Sequence, residues 1–359
     1  MKNKIIFSAG GTGGHIFPAI NLMKHFYQKG YEVLLVTDKR GENFIKNHSE
    51  FKYYILKTST TTNKNFLKKI VSSLIILYSL LKSFLFLKKE KPDLIFGLGG
   101  YVSFPICFVS KFLNLPLVIY ENNMVLGRAN RYLAWFSKKI FLSKNIIKYF
   151  PEKYKKKIHE VGPIINKNII NYKISEKQYN NENFSILVLG GSQGAKIFGE
   201  VIPSAIKLLK DEGYEIKIIQ QCTPEQKNSI KEYYDKNNIK NYVFEFDKNI
   251  LDLILSSDMA ITRCGASATA ELAYTNTPFI AIPLPNSIDD HQYLNAKYYE
   301  KEGCCWVLEQ HNFNTKNLFN LIIENVKDKN KLKNIREKMK EKYKNNVYSE
   351  IEDKIKEII

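Results

Sequence analysis

Short apolar runs alternate with longer amphipathic segments along most of this chain. The runs begin at Ile5, Glu32, Asp93 and Leu117 in the first half, and at Ser185, Glu215, Met259 and Phe279 in the second. Apolar runs of this length predict buried strands, and the segments between them predict helices. Because strands and helices alternate, each sheet is expected to be parallel and covered by helices. The pattern therefore favours an α/β fold with two doubly wound, Rossmann-like domains.

A glycine loop follows the first strand in each half of the chain. The loops are Gly10-Gly-Thr-Gly-Gly14 and Gly190-Gly-Ser-Gln-Gly194. Glycine loops of this kind let backbone N–H groups approach a phosphate. Neither loop fits the dinucleotide-binding fingerprint or the Walker pattern, because the third fingerprint glycine is replaced by Ile16 and the second loop lacks the GKS or GKT ending. We therefore expect phosphate binding of a different class.

The repeated loop and a polar, Asn- and Lys-rich stretch divide the chain into two domains. The predicted linker is 162–183, and the predicted domains are 1–163 and 164–340. Apolar residues at every fourth position between Ile335 and Ile359 predict a long helix or a broken helix pair. We expect its last part, 341–359, to pack back on the first domain.

Charge and cysteine content exclude several classes of protein. The 359-residue chain has 54 basic and 36 acidic residues, a net charge of +18, but only five of the basic residues are arginine. No arginine cluster or nucleic-acid motif accompanies the charge, so a nucleic-acid-binding module is a minor alternative. The five cysteines include no CxxC pair, which favours neither a disulfide framework nor a zinc site. A reducing cytoplasm is expected, since no signal-peptide pattern stands at the start.

The third candidate loop follows the strand 259–262 and leads into a helix that contains Glu271. A helix that begins near Ala266 would present its N–H groups to a nucleotide diphosphate, and Glu271 would accept hydrogen bonds from the ribose hydroxyls. The alternative is that Glu271 only stabilises the helix dipole. In the next loop, Asp290, Gln292 and Asn295 are the groups expected to meet a hydroxyl-rich ligand such as a sugar.

The segment 66–87 is unusually apolar. Between Ile70 and Leu87 only Lys82 is charged, and lysines flank the segment at Lys64, Lys68, Lys69, Lys88, Lys89 and Lys91. An apolar face with a basic rim is typical of a helix that lies on an anionic membrane surface. The alternative is a buried helix of the first domain.

Six motifs in order resemble the MurG family of glycosyltransferases. They are Gly10-Gly-Thr-Gly-Gly-His-Ile-Phe-Pro-Ala19, Gly97-Leu-Gly-Gly-Tyr-Val-Ser103, Glu121-Asn-Asn-Met-Val-Leu-Gly127, Gly190-Gly-Ser-Gln-Gly-Ala195, Arg263-Cys-Gly-Ala266 and Asp290-His-Gln-Tyr-Leu-Asn-Ala296. The resemblance implies a GT-B architecture, with the lipid acceptor on the first domain and UDP-N-acetylglucosamine mainly on the second, in the cleft between them. It implies transfer of N-acetylglucosamine to undecaprenyl-pyrophosphoryl-MurNAc-pentapeptide in peptidoglycan synthesis. The enzyme would be peripheral, on the cytoplasmic face of the inner membrane.

The resemblance also implies a set of residues that contact the donor. They are Thr12, Gly13, Gly14, Asn123, Ser192, Ala266, Ser267, Ala268, Thr269, Glu271 and Gln292. Two positions depart from the family pattern. Asn166 stands where members usually carry an arginine, with Lys167 as the candidate replacement, and Asp247 stands where an apolar residue is common on the uracil side.

His15 is the candidate general base, because an imidazole with a pKa near neutrality can take the proton of the acceptor's 4-hydroxyl. The alternative is that His15 only forms a hydrogen bond. Glu121 is the second catalytic candidate, and orientation of Asn122 and Asn123 explains it equally well. No Asp-x-Asp sequence is present, so we expect no metal and no cofactor. Another GT-B enzyme, either a glycolipid synthase or a UDP-N-acetylglucosamine epimerase, remains the alternative function.

Overall fold

The computed structural model describes the chain except residues 1, 12, 60–65, 145–147, 149, 172–183, 192–193 and 343–345, together with the side chains of 66–69, 171 and 329. It contains two compact units. Unit 1 comprises residues 1–166 and 345–359, and unit 2 comprises residues 167–344. The predicted contacts Thr12 and Ser192, and most of the predicted linker, lie outside the described residues.

Unit 1 is built on a parallel sheet of seven strands. The strands are β1 (Lys4–Ser8), β2 (Glu32–Thr37), β3 (Lys52–Ile55), β4 (Leu94–Gly97), β5 (Leu117–Glu121), β6 (Lys139–Leu142) and β7 (Ile158–Glu160), in the order β3-β2-β1-β4-β5-β6-β7. The helices are α1 (Gly13–Gln28), α2 (Lys39–Ile45), α3 (Phe66–Glu90), α4 (Ser103–Ser110) and α5 (Arg128–Leu133). The order reverses at β1 and β4, so the loops that follow these two strands lie side by side.

Unit 2 repeats this plan with a parallel sheet of six strands. The strands are β8 (Phe184–Leu189), β9 (Ile216–Gln221), β10 (Lys240–Phe244), β11 (Met259–Thr262), β12 (Phe279–Ala281) and β13 (Cys305–Val307), in the order β10-β9-β8-β11-β12-β13. The helices are α6 (Lys167–Asn171), α7 (Lys196–Asp211), α8 (Lys227–Lys236), α9 (Ile250–Leu255), α10 (Ala266–Tyr274), α11 (His291–Lys301), α12 (Thr315–Lys327) and α13 (Lys329–Lys342). Two doubly wound parallel-sheet domains were predicted, and they are confirmed.

The last helix, α14 (Val347–Lys356), belongs to unit 1. The His25 Nε2 and Glu352 Oε2 atoms lie 2.8 Å apart, which joins α1 to α14. The Tyr348 hydroxyl donates to the Ile165 carbonyl. The periodic apolar positions near the C-terminus therefore form two helices, of which α13 packs on unit 2 and α14 on unit 1.

The predicted linker is wrong over its first residues. Residues 161–165 are buried in unit 1, where the Tyr120 hydroxyl donates to the Gly162 carbonyl and accepts from the Ile164 N–H. Residues 167–171 then form α6 of unit 2. The sequence did not predict this packing, because the buried contacts are made by a short apolar stretch, 161–165, that lies between two polar stretches.

Helix α3 is oriented with three of its four serines inward and most of its described leucines outward. Ser79 and Ser83 are 0% exposed, whereas Leu77 is 65% exposed. The Ser79 hydroxyl donates to the Ile76 carbonyl and the Ser83 hydroxyl to the Ser79 carbonyl, so neither buried oxygen needs an outside partner. Small side chains on this face let α3 approach α4 closely.

By length and composition alone, residues 70–90 are apolar enough to cross a membrane, with a mean hydropathy of 2.1. The fold of unit 1 argues against a span. Leu94 begins a buried central strand only four residues after α3 ends, and the inner face of the helix packs on the domain.

Candidate functional site

The first glycine loop joins β1 to α1 in unit 1. Gly11 has a φ of +86°, which favours glycine, and its N–H donates to Asp38 Oδ1 at 3.2 Å. The same oxygen accepts from the Gly41 N–H at 2.9 Å and thereby caps α2. Asp38 therefore holds the loop in place from the end of β2. The predicted contacts Gly13 and Gly14 form the first turn of α1.

His15 lies in α1 directly against the loop that follows β4. A Cβ atom on Gly99 would lie 2.9 Å from His15 Cε1 and Nδ1, so only glycine leaves room for the imidazole. Gly100 has a φ of +83°, and a Cβ there would lie 2.4 Å from the Gly10 carbonyl oxygen. The glycines after β4 thus allow the two loops to meet and seat His15 at the carboxyl edge of the sheet. The imidazole is partly exposed.

Glu121 is enclosed by hydrogen-bond donors. It is 3% exposed, and its Oε1 accepts from the backbone and side-chain nitrogens of Asn123 at 3.2 and 3.0 Å. Its Oε2 accepts from the Gly127 N–H at 2.8 Å and from Asn130 Nδ2 at 2.9 Å. Four donors occupy both carboxylate oxygens, so little acceptor capacity is left for a substrate. This geometry favours the orienting role, in which Glu121 presents Asn123.

In unit 2 the second glycine loop joins β8 to α7. Gly191 and Gly194 have φ values of +82° and +71°, and the Gly194 N–H donates to the Gly191 carbonyl at 3.0 Å. The Gly190 N–H donates to Gln221 Oε1 at 3.1 Å. These bonds hold the described residues Gly190, Gly191 and Gly194 together after β8, at the carboxyl edge of the second sheet.

The third loop leads into α10, which begins at Ala266. The Thr269 N–H makes the first intrahelical bond, to the Gly265 carbonyl, so the amides before it face out of the helix N-terminus. The space around Gly265 is open, since a Cβ there would meet no atom within 4 Å. Ala266, Ser267 and Ala268 are partly exposed. This is the geometry expected of an anion site at a helix N-terminus.

Glu271 lies in the second turn of α10. Burial raises the pKa of its carboxyl to about 7, and burial is the only cause, so no cation or donor among the described residues offsets it. A residue this far into the helix gains little from the dipole, which acts on the first turn. The dipole interpretation is therefore weakened. Glu271 is nevertheless partly exposed, as a side chain that contacts a ligand must be.

Two other predicted contacts prove to serve the loops themselves. Thr269 is 0% exposed and its hydroxyl lies within hydrogen-bond distance of the Gly265 and Ala266 carbonyls, so its side chain cannot reach a ligand. Gln292 Oε1 accepts from the N–H groups of Cys264 and Leu284, at 3.1 and 3.0 Å. The Gln292 oxygen therefore joins the third and fourth loops, and its Nε2 is the end that has protons to donate.

The sequence motif included Arg263 without a role, and the structure supplies one. Its guanidinium is buried, donates to the carbonyls of Ile282 and Pro283, and donates to Gln310 Oε1 at 2.6 Å. Burial lowers the pKa of Arg263. Arg263 therefore joins the ends of β11 and β12 beneath the third loop. An arginine that directly follows a buried strand is the signal that could have indicated this role.

The segment after β10 explains one departure from the family pattern. The Tyr242 hydroxyl donates to Asp247 Oδ2 at 2.8 Å, and the Asn249 N–H donates to Asp247 Oδ1 at 2.7 Å. Asp247 thus shapes this turn from within. Phe246 beside it is 70% exposed and presents an aromatic face at the same edge of the sheet.

Comparison with known proteins identifies the family. Residues 5–142 match the glycosyltransferase family 28 N-terminal domain, and residues 185–353 match the glycosyltransferase family 28 C-terminal domain.

Two relatives carry the same name, UDP-N-acetylglucosamine--N-acetylmuramyl-(pentapeptide) pyrophosphoryl-undecaprenol N-acetylglucosamine transferase. The protein of Pelagibacter ubique is 36% identical over 100% of this chain and 99% of its own length. The protein of Rickettsia canadensis is 38% identical over 89% of this chain and 90% of its own length. The crystal structure of Acinetobacter baumannii MurG superposes with a TM-score of 0.79 at 24% identity, covering 99% of this chain and 100% of that one. These findings confirm the predicted resemblance: the chain belongs to glycosyltransferase family 28.

Proposed function

We propose that this chain is an inverting transferase that moves N-acetylglucosamine from UDP-N-acetylglucosamine to the 4-hydroxyl of lipid-linked MurNAc-pentapeptide. The observation that carries the proposal is the similarity to relatives named for this reaction, which are 36% and 38% identical over 100% and 89% of this chain. The site supports it, because unit 2 combines a helix N-terminus suited to a diphosphate with the desolvated carboxylate of Glu271. The product would enter peptidoglycan synthesis.

In the proposed reaction the acceptor oxygen attacks the anomeric carbon, and the bond from that carbon to the diphosphate oxygen breaks. The acceptor proton moves to the His15 imidazole, and UDP leaves with the bonding electrons. The N-terminus of α10 stabilises the charge that develops on the leaving diphosphate. Glu121 holds Asn123 in position, and Glu271 binds the ribose.

The test is UDP release with and without the lipid-linked acceptor. A transferase releases UDP only when the acceptor is present. An epimerase, the alternative, would change UDP-N-acetylglucosamine without any acceptor. Release of UDP in the absence of acceptor, or an altered donor sugar without acceptor, would contradict the proposal.

We further propose that unit 1 binds the anionic cytoplasmic surface of the cell membrane through the outer face of α3. This face carries exposed apolar side chains at Ile70, Val71, Leu74, Leu77, Tyr78, Leu81 and Leu85, and exposed lysines at Lys82, Lys88 and Lys89. Apolar side chains supply insertion into the interface, and each lysine adds ~1 kcal/mol of attraction at low salt. Ile75, next to Leu74, is half-buried and does not belong to this face.

The test replaces Leu74, Leu81 and Leu85 by glutamine. We expect weaker binding to anionic vesicles and slower turnover of acceptor embedded in lipid, with unchanged turnover of a short-chain soluble acceptor. A second variant, with Lys82, Lys88 and Lys89 replaced by glutamine, should lose the salt-dependent part of vesicle binding. Normal vesicle binding by both folded variants would place the docking surface elsewhere.

A further inference from the structure

Gln221 connects two loops of unit 2 with one side chain. It is the last residue of β9, which lies between β8 and β10 in the sheet. Its Oε1 accepts from the Gly190 N–H at 3.1 Å, and its Nε2 donates to the Glu245 carbonyl at 3.1 Å. The amide therefore bridges the glycine loop after β8 and the segment after β10, and both ends of the amide are used.

The neighbouring glutamine shows that this arrangement is specific to position 221. Gln220 is fully buried, and its Oε1 accepts from the Tyr234 hydroxyl at 2.5 Å. Successive strand residues point to opposite faces, so Gln220 serves the core. Gln221 is partly exposed at the carboxyl edge of the sheet, where parallel sheets bind ligands.

The sheet holds the strands as far as Phe244, whose carbonyl accepts from the Cys222 N–H at 2.9 Å, so only the loops beyond the strand ends need a further connection. Gly190 has no side chain with which to hold its loop, and a Cβ there would lie 2.8 Å from the Ala195 nitrogen. The segment after β10 is further held by the Lys227–Glu245 ion pair at 3.1 Å, whose side chains are both more than 40% exposed. An exposed pair of this kind contributes little. The Gln221 amide is the side chain that joins both segments directly.

We propose that Gln221 is a positioning residue that sets the spacing between the phosphate-side loop and the base-side loop, and so selects ligands that span both, a nucleoside diphosphate in particular. The proposal rests on the proposed function, in which UDP-N-acetylglucosamine is the donor. Gln221 acts through Gly190 and Glu245. A ligand that contacts both loops must pay for any change in their spacing, whereas a ligand that contacts one loop does not.

The experiment compares UDP with uridine as inhibitors of the wild type and of Gln221→Met, which keeps the side-chain length and removes both hydrogen bonds. We expect the inhibition constant of UDP to rise about 10-fold and that of uridine by less than about 3-fold, since two hydrogen bonds of ordinary strength are lost. The KM for UDP-N-acetylglucosamine should rise with UDP, and the KM for the acceptor should not change.

Asn241→Leu is the matched control. Asn241 lies near the amino end of β10, so it is at the opposite edge of the sheet from Gln221. Its Nδ2 donates to Asp235 Oδ1 and to the Ile239 carbonyl. It should lose stability without changing the ratio of the UDP and uridine constants. A merely structural Gln221 would behave in the same way, and an unchanged ratio in Gln221→Met would overturn the proposal.

Gln221→Glu provides a second, milder variant should the methionine variant fold poorly. A carboxylate still accepts from the Gly190 N–H but cannot donate to the Glu245 carbonyl. We therefore expect the ratio of the UDP to the uridine inhibition constant to rise in this variant too, but by less than in Gln221→Met. If the inhibition constants of UDP and uridine rise equally, Gln221 affects only the base-side loop, and this would contradict its role as a bridge between the two loops. If the wild type does not bind UDP, the proposed function itself is overturned. If the wild type and the variants bind UDP equally well, the role proposed for Gln221 is overturned and the proposed function is not.

Discussion

Two carboxylates show how the surroundings of a residue decide what it can do. Glu121 accepts four hydrogen bonds from three residues, so both of its oxygens are committed to holding the loop. Glu271 is desolvated without such donors, and burial raises its pKa to about 7. The first is suited to orienting its neighbours and the second to receiving hydroxyl donors from a ligand.

Removal of the Glu271 carboxylate should weaken the donor. Glu271→Ala is expected to lower the affinity for UDP-N-acetylglucosamine by roughly 1–3 kcal/mol, because a charge-assisted hydrogen-bond partner of the ribose is lost. Calorimetric titration of the folded variant measures it. Glu324→Ala, an exposed position on α12, is the control and should bind normally. Unchanged affinity in the Glu271 variant would refute the ribose contact.

The same residue predicts how stability depends on pH. The pKa of Glu271 rises from 4.5 to about 7 on folding, so the folded protein binds more protons between these values. The stabilisation is therefore complete below the unfolded pKa and is lost as the pH rises through about 7. Glu271→Gln should remove this loss, which amounts to at most ~3 kcal/mol. Denaturant unfolding at about pH 5 and about pH 8 measures it, and parallel behaviour of the two proteins would contradict the assignment.

His15 and Glu121 are separated by their effect on the pH profile. His15→Gln should lower kcat by ~10²–10⁴-fold and remove the acidic limb of the profile, with donor affinity retained. Glu121→Gln should retain that limb and lower the thermal midpoint, because an amide cannot accept from all four donors. If instead Glu121→Gln removes the acidic limb and His15→Gln keeps it, the two roles are reversed.

At the level of elements, α3 reverses the usual distribution of side chains. Its buried serines face the domain and most of its described leucines face solvent, since the close approach to α4 requires small residues on the inner face. The apolar pattern locates this helix in the sequence but does not show which face is buried. Both faces look apolar, because the buried serines donate hydrogen bonds to carbonyls of their own helix and need no other partner. The structure fixes that orientation.

The orientation of α3 predicts that a substitution of a buried serine is more destabilising than a substitution of an exposed leucine in the same helix. Ser83→Leu, on the inner face, should destabilise unit 1 by ~1–3 kcal/mol through overpacking. Leu81→Ser, two residues away on the outer face, should change stability by less than ~0.5 kcal/mol. Urea unfolding of both variants measures the difference. A larger loss for the leucine variant would mean that α3 is rotated relative to the described fold.

At the scale of the whole molecule, all the central strands except β6 were predictable from the sequence, and the strands at the sheet edges were not. The predicted runs correspond to β1, β2, β4, β5, β8, β9, β11 and β12, which occupy the interior of the two sheets. The strands that were missed include the edge strands β3, β7, β10 and β13. Edge strands are exposed on one side, and a sequence such as Lys-Tyr-Tyr-Ile in β3 carries too weak an apolar signal.

The same limit applies to the candidate site. Glycine loops, Glu271 and His15 follow from local spacing, because their chemistry is carried by residues adjacent in sequence. Gln221 and Arg263 act between loops that are far apart in the chain, as in the contact from Arg263 to Gln310. Only the sheet order brings such residues together, so a motif search has no means of assigning them.

The measurement that tests the account most directly is isolation of the product formed from UDP-N-acetylglucosamine and lipid-linked MurNAc-pentapeptide in a buffer that contains EDTA. The account predicts a lipid-linked disaccharide with a β-1,4 bond, seen by nuclear magnetic resonance, and one UDP for each disaccharide. It predicts full activity in EDTA, because the chain has no Asp-x-Asp sequence and the N-terminus of α10 is placed to receive the diphosphate. An α-linked product, a donor altered without acceptor, or activity that requires added magnesium or manganese would contradict it.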